Sequence, residues 1–160
     1  MTQARSRSRS AARLAAVQAL YQQDMEGTPT ARLIHEFHEH RLGATIEDVT
    51  YADAEYSFFD DIVTGADARR DEIDEKIAAN LAQGWSIDRL DRPMRAILRA
   101  GAYELLGRRD VPVGSVISEY VDVAHAFFDK RESGFVNGLL DAIAKDARAD
   151  AGGTGGGQAE

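Results

Sequence analysis

Four arginines, Arg5, Arg7, Arg9 and Arg13, precede the first acidic residue of the chain, Asp24. They give residues 1–23 a charge of +4 inside a protein whose net charge is -8, so the remainder carries -12. Guanidinium groups hold phosphates two-pronged and also stack on unpaired bases, which suits single-stranded RNA better than a duplex. Arg5, Arg9 and Arg13 recur every four residues and would line one edge of a helix that reached the N-terminus. A disordered, solubilising terminus has the same composition. Phe135, directly after the polar stretch Asp129-Lys-Arg-Glu-Ser133, raises a parallel choice between a core staple and an aromatic platform for a base.

The other groups able to do chemistry have bland alternatives. His35, His38 and His40 fall within six residues, but only His35 and His38 share a helical face, and the spacing is not that of the two-histidine zinc motif. We expect a solvated helix face and no metal. His125 sits beside an apolar stripe and reads as a core-edge residue. The pairs Asp60-Asp61, Asp71-Glu72 and Asp74-Glu75 have the residue types for acid–base catalysis but no partner groups around them. No nucleophile elbow, P-loop or dinucleotide fingerprint is present. Nothing marks an enzyme or a cofactor.

The absence of cysteine excludes a disulfide framework and a thiol nucleophile and suits a reducing cytoplasm. No apolar run approaches the roughly 20 residues of a membrane span. At 160 residues the core alone can carry the fold. Helical periodicity dominates and no strand alternation of useful length appears, which predicts an all-α fold of about seven helices. The central one is Arg92–Leu106, with Met94, Ile97, Leu98, Gly101 and Leu105 on one face and alanines over much of the remainder. Asp91 is its expected N-cap, Pro93 lies in its first turn and Gly107 follows as a stop.

The first helix is expected from about Ala11, with Leu14, Val17, Tyr21 and Met25 inward. The second should follow Thr28-Pro29, and residues 44–50 read as a loop. The third is expected over 52–64 with Tyr56, Phe59, Ile62 and Val63 inward and Gly65 as its stop. A fourth, capped at Asp67, carries Ile73, Ile77 and Leu81. The sixth follows Pro112, with Val116, Ile117, Tyr120, Val121, Ala124 and Phe127 on one side. The last runs from Gly134 to about Ala147. The expected organisation is a basic flexible arm over 1–10, one helical domain over 11–147 and a Gly-rich disordered tail over 148–160.

Val17-Gln-Ala-Leu-Tyr21, Ala96-Ile-Leu-Arg99 with Tyr103-Glu-Leu105, Val111-Pro112 with Val116-Ile117 and Glu119, and Phe135-Val-Asn-Gly-Leu-Leu-Asp141 occur in this order. The chain thereby resembles the NusB family of bacterial transcription antitermination factors over about residues 11–145. The resemblance implies two packed helical bundles without catalytic activity. It also implies binding, together with the ribosomal protein that doubles as NusE, to the single-stranded boxA segment of nascent RNA. The resulting complex on RNA polymerase resists termination in ribosomal RNA operons.

By position, the resemblance makes Arg7, Arg9, Arg13, Tyr21 and Phe135 RNA-side residues, with Arg5 grouped among them by spacing. Arg99 and Glu104 are expected to tie neighbouring helices or meet a partner surface. The arginines alternate with serine instead of running together. Ser118 and Tyr120 stand where Asn and Ala are usual, and Gly134 where a basic residue is common. Two other expectations compete. One is an RNA-binding module like that preceding ribosomal RNA cytosine methyltransferases, for which the chain ends too soon after its last helix. The other is a homo-oligomeric scaffold, since some family members self-associate, with a homodimer as its simplest form.

Overall fold

The computed structural model describes the backbone of residues 2–42, 45–46, 49–50 and 55–148 and the side chains of 7–42 and 55–148. Among these residues are seven helices: α1 (Thr2–Glu26), α2 (Thr30–His40), α3 (Tyr56–Ala68), α4 (Arg70–Ala79), α5 (Arg92–Gly107), α6 (Val113–Phe127) and α7 (Lys130–Ala147). A single 3-10 turn, Ile87–Arg89, precedes α5. The expected glycine-rich tail, the start of the third helix at Ala52 and the side chain of Arg5 lie outside the described residues.

α5 is the centre of the packing. It touches α1, α3, α4, α6 and α7, and the two helical bundles share one continuous core. Apart from Arg95, every residue from Met94 to Leu105 is buried. A helix buried over so much of its surface needs neighbours on several sides, and its buried charges, Arg99 and Glu104, are paired. Asp91 occupies the N-cap and Pro93 the first turn, as the sequence predicts.

α1 differs from expectation at its start and in its facing. It begins at Thr2, so residues 2–10 are helical. Contacts anchor this segment: the Glu55 amide donates to the Ser8 carbonyl at 3.0 Å and the Ser10 hydroxyl donates to Glu119 at 2.6 Å. The buried stripe is Ala12, Ala15, Ala16, Ala19 and Leu20 with Val17, while Leu14 and Tyr21 are half-buried and Met25 is 44% exposed. The period was right and the face was rotated. Small residues are buried because α1 packs directly on the alanine-rich α5.

Similar local reasons account for the other shifts. α3 runs through Gly65, because this glycine lies against the Tyr103 ring and a Cβ there would collide with it. Phe58 joins Phe59, Ile62 and Val63 in the core, and Tyr56 is 42% exposed. α4 is capped by Arg69 and not by Asp67. On α6, Val123 is buried while Val121 is half-buried and Phe127 exposed. The polar stretch before Gly134 forms the first turn of α7, capped by Asp129. Within the expected loop at 44–50, β1 (Thr45–Ile46) and β2 (Val49–Thr50) make a minimal antiparallel ladder from four β-branched residues.

Candidate nucleic-acid interface

The arginine edge of α1 divides by depth. Arg7 is exposed. Arg9 is half-buried, its Nε 3.4 Å from Glu55 and its guanidinium 4.5 Å from the centre of the Phe58 ring. Arg13 is only 5% exposed. Its Nε and Nη2 donate to the two Glu104 oxygens at 2.7 and 3.0 Å, and its Nη1 donates to Glu119 at 3.1 Å. The sequence expectation placed Arg13 among the RNA-contacting cations. The fold instead turns it inward, where its donors meet carboxylates of α5 and α6.

Phe58 lies beneath three guanidinium groups, since Arg13 and Arg108 also stand 4.9 Å from its ring centre. Acids compensate this cluster. Arg108 donates to Asp61 at 3.1 Å and to Asp110 at 3.0 and 3.1 Å, which raises its own pKa and lowers that of Asp110. Two of the arm's arginines, Arg9 and Arg13, are therefore neutralised inside the molecule, and Arg7 is the free cation of the arm among the described side chains.

A second feature lies at the other end of α5. Phe135 is 37% exposed although Val136, Leu139, Leu140 and Ile143 of the same helix are buried. It opens onto a groove of about 430 Å³ whose walls include Trp85, Leu90, Met94 and Phe128, with Arg89 and Arg131 among the polar residues. Trp85 is 52% exposed and Arg89 lies 5.7 Å from its ring centre. Phe135 lines this groove with Met94, whereas Arg13 binds Glu104. Those two α5 positions are ten residues apart, about 15 Å along the axis. The arm and the aromatic thus form two stations along α5 and not one patch. Tyr21 belongs to neither, being half-buried and packed against the core.

Sequence reasoning missed Trp85, Arg89, Arg131 and Phe128. In the sequence, Gln83-Gly84-Trp85-Ser86 carries the signal of a helix break, and a lone tryptophan in such a turn is a further signal in itself. Gly84 takes φ +88°, and its carbonyl accepts from Arg89 at 3.4 Å, which fixes the turn beneath the indole.

Several of the remaining candidates act as tethers. His38 meets Asp60 at 2.6 Å, while His35 and His40 are exposed. His125 is exposed rather than at the core edge and pairs with the Ser133 hydroxyl at 3.1 Å. Asp61 accepts the Tyr103 hydroxyl at 2.8 Å, and Arg69 lowers the pKa of Glu72 by a two-pronged pair. Arg99 reaches Asp74 at 2.8 and 2.9 Å and, like Glu104, ties helices together as expected. No described helix is long and apolar enough to cross a membrane.

Comparison with known proteins agrees with this arrangement. Residues 10–145 match the model of the NusB family. The transcription antitermination protein NusB of Sphingopyxis alaskensis is 72% identical over 144 residues, covering 90% of this chain and 97% of that protein. Its counterpart in Novosphingobium aromaticivorans is 69% identical, covering 92% of this chain and 100% of that protein. Among solved structures, a NusB described with NusE and double-stranded RNA superposes with a TM-score of 0.72 at 32% identity, over 88% of this chain and 98% of that one. NusB from Aquifex aeolicus superposes with a TM-score of 0.70 at 34% identity, over 91% and 92%.

Proposed function

The chain belongs to the NusB family, and from that premise we propose that it is a non-catalytic, cytoplasmic RNA-binding antitermination factor. Together with NusE it binds boxA-type single-stranded RNA of nascent ribosomal RNA transcripts and helps RNA polymerase resist termination. One observation carries the reading to this chain's own residues. Phe135, in the segment Phe135-Val-Asn-Gly138, stays 37% exposed while the apolar residues around it on α7 are buried. An aromatic ring left in solvent beside Arg131 offers an unpaired base a surface to stack on and its phosphate a cation.

A single strand fits this surface better than a duplex, because the ring can be used only by a base that is free to leave its stack. Arg7 and the start of α1 provide the second station, about 15 Å away along α5. The exposed rings and the few free cations lead us to expect modest affinity from this chain alone and a larger one with NusE.

The test is RNA binding with and without NusE, comparing a boxA-type single strand, a scrambled strand of equal length and the boxA duplex. Preference for the boxA single strand that sharpens with NusE is the expected result. Equal binding to all three would leave only generic electrostatic attraction and end the proposal.

A further inference from the structure

We propose that the groove between Trp85 and Phe135 is a pocket for one unpaired RNA base that carries an exocyclic amino group, so that Trp85, Arg89 and Glu132 extend the RNA site beyond Phe135. The inference rests on the RNA-binding reading of Phe135. Trp85, Arg89 and Glu132 supply observations that the reading of Phe135 does not use.

Two of the five large hydrophobic side chains exposed among the described residues, Trp85 and Phe135, line this one groove although they come from different parts of the chain. Its volume, about 430 Å³, lies within the roughly 300–1,000 Å³ of small-ligand sites. Flat π surfaces on separate elements suit a flat ring, and stacking needs no particular base. Arg89 and Arg131 line the groove as cations for the flanking phosphates. The Trp85 turn is fixed in advance by Gly84 and the Arg89 hydrogen bond to its carbonyl, so little order has to be gained on binding.

Two acids, Asp91 and Glu132, also line the groove, and Glu132 supplies the base preference. Glu132 lines the groove, and its Oε1 is buried without a hydrogen-bond partner. A buried acceptor left unmade is costly, and it is satisfied by a donor arriving with the ligand. An exocyclic amine provides one, as when a carboxylate accepts from the cytosine N4 amine. The carbonyl at the corresponding edge of uridine offers only an acceptor and repels the carboxylate. An aliphatic side chain from a protein partner would fill the apolar walls but leave Glu132 unsatisfied. The groove therefore favours a base over a protein plug.

Trp85 is the only tryptophan in the chain, so its fluorescence reports on this groove directly. The full chain is titrated, alone and with NusE, with boxA-type strands in which one position at a time is made abasic or replaced by uridine. The expected results are quenching of Trp85 emission and about tenfold weaker binding by Trp85→Ala. Both effects should vanish when one particular amino-bearing base is made abasic. Trp85→Phe, which keeps a ring, should retain affinity, and Glu132→Gln should lose discrimination between cytidine and uridine there.

Normal RNA affinity with unquenched wild-type emission, or an undiminished Trp85→Ala, overturns the pocket and leaves the RNA reading standing. Emission that responds to NusE without RNA assigns the groove to protein and also overturns it. Failure of the wild-type chain to bind the RNA, even with NusE, overturns the underlying reading instead. The wild-type quenching and abasic series decide the matter even if a variant fails to fold.

Discussion

Arg13 and Glu104 lie 91 residues apart in sequence and face each other in the interior, joined by two hydrogen bonds of 2.7 and 3.0 Å. The Tyr120 hydroxyl donates to the same carboxylate at 2.6 Å, so α1, α5 and α6 meet at one acid that is fully buried. Removing one member of such a group leaves the other charged and dry. Arg13→Ala is expected to cost about 3–5 kcal/mol of stability, read from urea unfolding. Arg13→Lys should recover little, because an ammonium cannot reproduce the guanidinium fork. A paired Arg13→Met, Glu104→Leu protein should be more stable than Arg13→Ala alone, and if it is less stable the buried-charge explanation fails.

Two tyrosines make the fold sensitive to alkali. Burial, and then the hydrogen bond to Asp61, push the Tyr103 hydroxyl up to about 12, and burial followed by the Glu104 charge pushes Tyr120 well above its usual 10. In the unfolded chain both ionise near 10. Above that pH the unfolded chain releases protons that the folded chain retains, so stability is fully present below pH 10 and falls as pH rises toward 12. Tyr103→Phe should reduce this loss, seen as a smaller drop of the urea midpoint between pH 9 and 11. An unchanged slope would remove Tyr103 from the account.

Glycines in helices should respond in opposite directions according to what surrounds them. A Cβ at Gly65 would run into the Tyr103 ring, whereas one at Gly138 meets nothing within 4 Å. Gly138→Ala is expected to stabilise the protein by about 0.5–1 kcal/mol through helix propensity. Gly65→Ala should destabilise it by more than that gain, since α3 or the ring must move. Thermal midpoints of the two variants decide, and a stabilised Gly65→Ala protein would contradict the contact.

Arg148 closes the C-terminal end of α5. Its guanidinium donates to the carbonyls of Leu105, Val111, Glu104 and Arg108 at 3.0, 2.8, 3.3 and 3.0 Å. The Glu104 and Arg108 carbonyls also accept the backbone amides of Arg108 and Val111 at 2.9 and 3.0 Å, so the Leu105 and Val111 carbonyls depend most on Arg148. Arg148→Ala should cost about 1–3 kcal/mol by leaving them unmade. The loss should show in faster amide exchange across residues 104–111, and uniform exchange would argue against a local clamp.

α5 was legible because its apolar face is flanked by small alanines that also pack, so its burial did not hinge on choosing the face narrowly. α1 shows the opposite case. Its period was visible, but Ala12, Ala15, Ala16 and Ala19 are buried in preference to the larger Leu14, Tyr21 and Met25, because contact with α5 selects size over hydropathy. Arg13 could not be placed from its neighbours, since its acceptors come from α5 and α6. Phe135 carried a choice that local pattern left open, and only packing showed its ring in solvent. Trp85 was passed over because its significance comes from Phe135, which is 50 residues away in sequence.

The two stations along α5 should be separable by salt. Each phosphate neutralised on a single strand contributes about -0.7 to the slope of log K against log salt. Arg7 is exposed and is, among the described side chains of the arm, the cation best placed for such a contact, whereas Arg13 is occupied by Glu104 and Glu119. Arg7→Ala should therefore make the slope shallower by about 0.7. Phe135→Ala should weaken binding by about 1–3 kcal/mol at every salt concentration while leaving the slope unchanged, because stacking releases no counterions. The measurement is a salt series of boxA-type RNA affinities in the presence of NusE. A Phe135→Ala protein that folds normally and binds undiminished would remove the stacking assignment, and an unchanged slope in Arg7→Ala would take the arm out of the RNA site.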